Sequence, residues 1–167
     1  KMVKLNFTIH LYIQLMYMKE LEDIVKTKQP IPLSRKTVLN VFHSNSIIKE
    51  NLLLALKPFD ISIEQFNVLR ILRGQKGTPV NLQDIQDRMI NKMSNTTRLV
   101  DKLILKNYVE RFTCEKNRRK VEIFITESGL TILKEIDPII NHTEELITAS
   151  LNTEELETLN KLLSKLK

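Results

Sequence analysis

The sequence has only one cysteine, Cys114, in 167 residues. A single cysteine excludes an intrachain disulfide framework and a zinc site built on cysteines. It fits a protein of the reducing cytoplasm, which is the location we predict. The three histidines, His10, His43 and His142, are too scattered to indicate a metal site. We therefore predict neither a metal nor another cofactor.

Glycine is also scarce, with 3 residues, and aromatic side chains make up 5% of the chain without any tryptophan. Together with many Leu, Ile, Lys and Glu residues, this composition favours helices over a β-sandwich. The sequence lacks a glycine-rich phosphate loop, a nucleophile elbow and a His–Glu pair at metal-ligand spacing, so we do not predict an enzyme. It also lacks an apolar run long enough to cross a membrane, and no membrane partner is predicted.

The formal net charge is +6, and it is unevenly distributed. Residues 1–80 contain 12 Lys and Arg against 6 Asp and Glu, residues 81–121 contain 10 against 5, and residues 122–167 contain 4 against 9. A basic middle beside an acidic end is typical of a protein that contacts a polyanion with one region only. On charge alone, ordinary variation of surface charge explains the pattern equally well.

Residues 1–33 are predicted to form an N-terminal arm and a linker. Within 5–15 the apolar residues alternate with a period of two, which indicates a strand, while the same residues also form a helical stripe. Both interpretations stay open. His10 and Gln14 interrupt the apolar run, so we do not predict a signal peptide, and Met18 is an alternative start residue. We expect the arm to pack against another surface, with the partner subunit as the favoured one.

After two prolines within 26–32, the apolar spacing predicts six helices. Their predicted N-caps, in chain order, are Ser34, Ser62, Asn81, Asn91, Thr126 and Asn152. The first helix is predicted to end at Pro58 and the second at Gly74, and the fourth is predicted to span 92–106. Two strand-like runs, 108–114 and 120–126, follow the fourth helix and form a hairpin. The predicted fold class is α+β, mostly α.

The third predicted helix and the fourth are joined by a tight connection, which is the pattern of a helix-turn-helix. In the fourth helix, the residues predicted to face the core are Met93, Thr96, Val100, Leu103 and Ile104. The opposite face carries short hydrogen-bonding side chains and a long cation, which suit base edges in a major groove. The basic hairpin tip that follows is suited to the DNA backbone or the minor groove.

The predicted DNA contacts lie on the fourth helix and on the hairpin tip. They are Lys92, Ser94, Asn95, Thr97, Arg98 and Lys102 on the helix, and Lys116, Arg118, Arg119 and Lys120 on the tip. Lys106 and Arg111 are further candidates for phosphate contacts. A polar helix face or a basic turn is ordinary by itself, but the two in this order favour double-stranded DNA as the partner.

Three segments resemble the MarR family of multiple antibiotic resistance regulators, and the similarity spans about 35–167. Residues 93–103 (MSNTTRLVDKL) resemble the family pattern S-x-x-T-R-L-V-D-x-L. Residues 117–129 are similar to D-x-R-x5-L-T-x-x-G, and 151–156 (LNTEEL) are similar to the start of the family's last helix. The second pattern is fairly specific, since residue types and spacing both agree.

The resemblance implies a winged helix-turn-helix fold and a homodimer that represses transcription from a palindromic operator, with a small-molecule effector. It implies a DNA-binding lobe at 61–126 and dimerisation helices at 34–60 and 127–167. The family's wing arginine corresponds to Arg119. The family's aspartate beside it is Asn117 here, which cannot form a charge-assisted pair with Arg119.

Two residues and one alternative function remain open. Cys114 is interpreted as packing in a wing strand rather than as an oxidant sensor, and His43 as interface packing rather than as part of an effector pocket. The alternative function is a winged-helix protein-interaction module without specific DNA binding. The acidic C-terminal segment and the apolar arm favour that alternative, whereas the Ser94–Arg98 face and the cationic hairpin oppose it.

Overall fold

The computed structural model describes residues 21–113 and 121–166. In chain order the elements are α1 (Leu21–Ile24), α2 (Leu33–Leu56), a 3-10 turn (Lys57–Phe59), α3 (Ile63–Gly74), α4 (Leu82–Arg88), α5 (Thr96–Leu105), β1 (Val109–Thr113), β2 (Val121–Ile125), α6 (Glu127–Thr148) and α7 (Thr153–Leu163). The predicted class, mostly helical with one small antiparallel hairpin, is confirmed. No helix within the described ranges is long and apolar enough to span a membrane.

The chain divides into two compact units. The first, Asn51–Glu144, contains α3, α4, α5, the hairpin and most of α6. The second combines Lys1–Glu50 with Glu145–Lys167, and its described part is 21–50 and 145–166. The boundaries between the units fall inside α2 and α6.

The first unit contains the hydrophobic core. Its fully buried side chains are Leu56, Val68, Leu69, Ile85, Met89, Val100, Leu103, Val109, Ile123, Leu133 and Ile136. On α3, α5 and α6 these residues recur at helical spacing, so each helix buries one stripe. Burying each large side chain contributes roughly 1.5–3 kcal/mol to the stability of the fold. The buried stripes are therefore the main reason why the helices pack against one another.

The two strands of the hairpin are hydrogen-bonded to each other, and one of them is also hydrogen-bonded to the residue just before the capped start of α4. β1 and β2 pair antiparallel, with Val109 opposite Ile125 and Arg111 opposite Ile123. Val80, just before α4, exchanges two backbone hydrogen bonds with Ile123, at 3.2 Å and 2.9 Å. The hairpin therefore extends from the same core that holds the helices.

Four predicted caps are confirmed by hydrogen bonds. The side chains of Ser62, Asn81 and Asn152 each accept a bond from the third backbone N–H of the helix, and each belongs to a full capping box. The hydroxyl of Thr126 accepts from Gly129 N–H at 3.0 Å. These caps depend on partners three residues away, which is why the sequence predicts them well.

Two predicted caps are wrong. The helix expected after Ser34 begins at Leu33, because the Lys36 N–H already donates to the Pro32 carbonyl at 2.9 Å. Asn91 does not cap the fourth helix, which starts at Thr96 rather than at residue 92 and is capped by Asn95.

Candidate nucleic-acid interface

The connection between α4 and α5 is a hydrogen-bonded turn. Asn95 caps α5, its Oδ1 accepting from Arg98 N–H at 3.1 Å. The side chain of Asn91 instead accepts from Met93 N–H at 3.1 Å, and the Asn91 carbonyl accepts from Ser94 N–H at 3.2 Å. Residues 92–95, predicted as the first turn of the helix, therefore form part of this connection.

Gln86 on α4 forms hydrogen bonds both to the turn and to the first residue of α5. Its Oε1 accepts from the hydroxyl of Thr96, the first residue of α5, and its Nε2 donates to the Lys92 carbonyl. Thr96 is almost fully buried, as is Met89 at the end of α4. Gln86 thus fixes the position of α5 against α4, a role that sequence analysis missed because Gln86 and Thr96 are ten residues apart.

The outward face of α5 is polar and cationic. Thr97, Arg98 and Lys102 are exposed, whereas Val100 and Leu103 are fully buried on the opposite face. These three side chains lie where sequence analysis predicted them, on the solvent face of one helix.

Three other predicted contacts lie in the turn before α5. The Lys92 ammonium donates to the Asp87 carbonyl. The Ser94 hydroxyl oxygen is buried and has no hydrogen-bond partner among the described residues. Asn95 is exposed, but its side-chain oxygen is occupied by its capping bond. Its amide nitrogen can still donate to an outside acceptor.

The clearest wrong prediction concerns Met93. It was predicted to face the core, but it is 92% exposed. The prediction assumed that the helix begins at residue 92. Because the helix begins at Thr96, Met93 lies in the preceding turn, where its side chain points to solvent.

Two predicted phosphate-binding cations are paired within the chain. The Lys106 ammonium donates to the Asp60 carbonyl at 2.6 Å and also to its carboxylate. This hydrogen bond, with the charge of Lys106, lowers the pKa of Asp60. The Arg111 guanidinium donates to Asp101 at 2.9 Å. These carboxylates reduce the positive charge that Lys106 and Arg111 offer to a ligand.

The hairpin-tip residues lie outside the described residues, and so does the arm at 1–20. The tip predictions concern Cys114, Lys116, Asn117, Arg118, Arg119 and Lys120. Within the described parts of the chain, no three His, Cys, Asp or Glu side chains are grouped as metal ligands.

A helix-turn-helix followed by a hairpin on one core defines a winged helix-turn-helix protein. Residues 61–121 match the sequence model of the MarR family. The multiple antibiotic resistance protein MarR of Escherichia coli (strain K12) is 30% identical over 151 residues, covering 89% of this chain and 98% of that protein. The chain therefore belongs to the MarR family.

Two further comparisons agree. The transcriptional repressor MprA of Escherichia coli (strain K12) is 26% identical over 124 residues, which are 74% of this chain and 70% of that protein. The crystal structure of a mutant of Escherichia coli MarR complexed with operator DNA has a TM-score of 0.69 and 25% identity, covering 88% of this chain and 98% of that one. The predicted family is confirmed.

Proposed function

We propose that this protein binds duplex DNA sequence-specifically, as a homodimeric repressor acting on a palindromic operator. The observation that carries the proposal is the exposed cationic face of α5, formed by Thr97, Arg98 and Lys102 on a helix held by Gln86. A helix of this kind, which exposes one polar and cationic face, suits the major groove.

The assignment of roles along α5 follows from side-chain chemistry. Arg98 can donate two parallel bonds to a guanine edge, and the Thr97 hydroxyl can bond any of several base edges. Lys102 lies one turn further along the helix, where a flexible ammonium suits a phosphate. Lys92, Ser94, Asn95 and the wing cations Lys116, Arg118, Arg119 and Lys120 remain proposed contacts. Ser94 needs a change of side-chain rotamer before its hydroxyl can reach DNA.

Exposed apolar residues support the homodimer. In α2, Val38, Val41, Phe42 and Ile48 are exposed, and in α7 so are Leu159, Leu162 and Leu163. Long helices that leave this much apolar surface bare are typical of interfaces between subunits. We propose that 34–60 and 127–167 form the dimerisation region and 61–126 the DNA-binding lobe.

Dimer symmetry sets the expected operator. Two recognition helices related by a two-fold axis read half-sites about one helical turn apart, roughly 34–36 Å.

The repressor role is supported by the repressor named among the relatives. A small-molecule effector that changes the spacing of the two helices is supported by family membership, and an operator-release screen in which no compound changes the affinity would exclude it.

The primary experiment is a fluorescence anisotropy titration of the full chain against its own promoter fragment and a scrambled fragment, at two salt concentrations. We expect preferential binding to the promoter and an affinity that falls steeply with salt, because phosphate contacts release counterions. Weak binding that is equal for both fragments would favour the protein-interaction module instead.

Arg98→Ala tests the direct reading of bases. We expect a loss of roughly 1–3 kcal/mol on the promoter fragment and a smaller loss on the scrambled fragment. Lys134→Ala removes one charge from an exposed position on α6 and is the matched control. An equal loss on both fragments with Arg98→Ala would show that Arg98 contacts only phosphate.

A further inference from the structure

Two large apolar side chains project from the turn of the helix-turn-helix. Ile90 is 89% exposed and Met93 is 92% exposed. Both lie in the connection between α4 and α5, directly before the exposed cationic face of α5. Folding therefore leaves almost the whole apolar surface of both side chains in water.

The turn that carries these side chains is held in place. Asn91 accepts bonds from the backbone N–H groups of Met93 and Ser94, at 3.1 Å and 3.2 Å. Gln86 donates to the carbonyl of Lys92. The backbone on either side of Met93 is therefore bonded, so its outward direction is set by the turn.

The charges around the turn indicate the partner. Residues 87–102 contain four cations, Arg88, Lys92, Arg98 and Lys102, against two carboxylates, Asp87 and Asp101. Asp101 is already paired with Arg111. A second copy of this turn would bring the same cations into contact and repel the first, whereas a polyanion would be attracted. The occupant that suits both the apolar side chains and the cations is duplex DNA.

We propose that Met93, with Ile90 beside it in the turn, contacts thymine methyl groups in the major groove. This inference rests on the proposed DNA binding. It adds recognition of bases by apolar contact to the proposed recognition by hydrogen bonds. Among the bases, only thymine presents a methyl group in the major groove, and apolar side chains read it by contact. The flexible thioether of Met93 suits such a contact because it adapts to the shape of its partner.

The experiment uses the full chain and a duplex selected by it from a random library. Each thymine of that duplex is replaced in turn by deoxyuridine, which removes only the methyl group. At one or more positions we expect the wild type to lose affinity about fourfold per methyl group, and Met93→Ala to be insensitive to the same replacement. Ile90→Ala is measured alongside.

Leu105→Ala is the matched control. Leu105 is 83% exposed at the C-terminal end of α5, away from the turn, so its truncation should leave the dependence on thymine unchanged. Thermal melting checks that each variant folds, which we expect because the truncated side chains are exposed.

The outcomes separate this inference from the proposed function. If a preferred duplex is found but Met93→Ala and the wild type respond equally to every replacement, only this inference fails. If no preferred duplex is found, the proposed function fails and this inference with it. If Met93→Ala weakens the dimer in sedimentation and leaves DNA affinity unchanged, the side chain contacts a second copy and the inference is overturned.

Discussion

Gly129 lies in the first turn of α6, where the helix passes closest to the residue before β1. A Cβ on Gly129 would lie 2.2 Å from the carbonyl oxygen of Tyr108 and 2.7 Å from Cγ1 of Ile125. That same carbonyl accepts from Thr126 N–H at 3.1 Å, and the Thr126 hydroxyl donates to the Asn107 carbonyl at 2.8 Å. The Thr-x-x-Gly part of the wing motif thus joins the hairpin to α6.

Gly129→Ala should destabilise the protein. The added methyl group meets the Tyr108 backbone, which cannot move aside easily, as well as the Ile125 side chain. The cost should therefore be roughly 1–3 kcal/mol of the free energy of unfolding, as for overpacked cores. Urea unfolding measures the change. Gly74→Ala is the control, because a Cβ there meets nothing within 4 Å and should leave stability equal or higher. Equal unfolding midpoints for the two variants would contradict the close approach at Gly129.

We expect Asp60 to make the stability depend slightly on pH at the acidic end, since its side chain is 95% exposed and its ion pair with Lys106 is screened by water. Its pKa is lowered from an ordinary value of 3.8, first by the hydrogen bond from Lys106 and then by the charge of Lys106. A carboxyl whose pKa is lower in the folded chain stabilises the fold above its ordinary pKa, and this contribution is lost as the pH falls through the lowered pKa.

We expect Asp60→Asn to lower the melting temperature slightly at neutral pH and to remove this acidic dependence. Asn tolerates the left-handed backbone at this position, where φ is 52°, so the substitution changes the charge and not the turn. Thermal melting of both proteins across acidic pH measures the effect. A gap between them that stays constant down to the lowest pH would show that the ion pair with Lys106 contributes nothing.

At the scale of elements, the position of α5 depends on one glutamine of α4. Without Gln86, the Thr96 hydroxyl and the Lys92 carbonyl would lose the partners described above. A partly buried polar group without a hydrogen-bond partner lowers the stability of the fold. The two bonds from Gln86 therefore favour the observed arrangement of the turn.

Gln86→Ala should lower the free energy of unfolding by roughly 1–3 kcal/mol and weaken operator binding by more than it weakens non-specific binding. Hydrogen exchange should speed up at the first amides of α5. The control is Gln83→Ala on the same helix, since the Gln83 side chain donates to the exposed Asp87 carboxylate, at 2.7 Å, and not to the turn. Equal effects of the two substitutions would show that the turn does not depend on Gln86.

At the scale of the whole molecule, α2 carries much apolar surface that the rest of the described chain does not cover. Phe42 is 66% exposed in the middle of the helix, with Val38 and Val41 exposed nearby. A monomer gains little by leaving such side chains in water, whereas a dimer that buries them gains from each one twice.

Phe42→Glu should raise the dimer dissociation constant at least about tenfold, because a charge would replace a buried aromatic ring in each subunit. Sedimentation velocity measures the change, and operator affinity should fall in parallel. Asn40→Glu adds the same charge at an exposed polar position of α2 and serves as the control. A dimer that is unaffected by Phe42→Glu would place the interface elsewhere.

Local chemistry made most of the elements predictable. Ser62, Asn81, Thr126 and Asn152 cap their helices through bonds to residues three positions away, and these bonds form wherever the chain turns helical. The same holds for the outward direction of Thr97, Arg98 and Lys102, because helical spacing fixes it once Val100 and Leu103 face the core.

By itself, the sequence determined the order of the elements from α2 onward, the buried residues of α3 and α4 and the resemblance to the family. Only the tertiary structure decided which of two asparagines, Asn91 or Asn95, caps α5, since both have the right side chain. Gln86, reaching from α4, favours the later start, and that choice turns Met93 from the core to solvent. Contacts between residues distant in sequence, such as Lys106 with Asp60, leave no local pattern, and the folded chain alone brings them together.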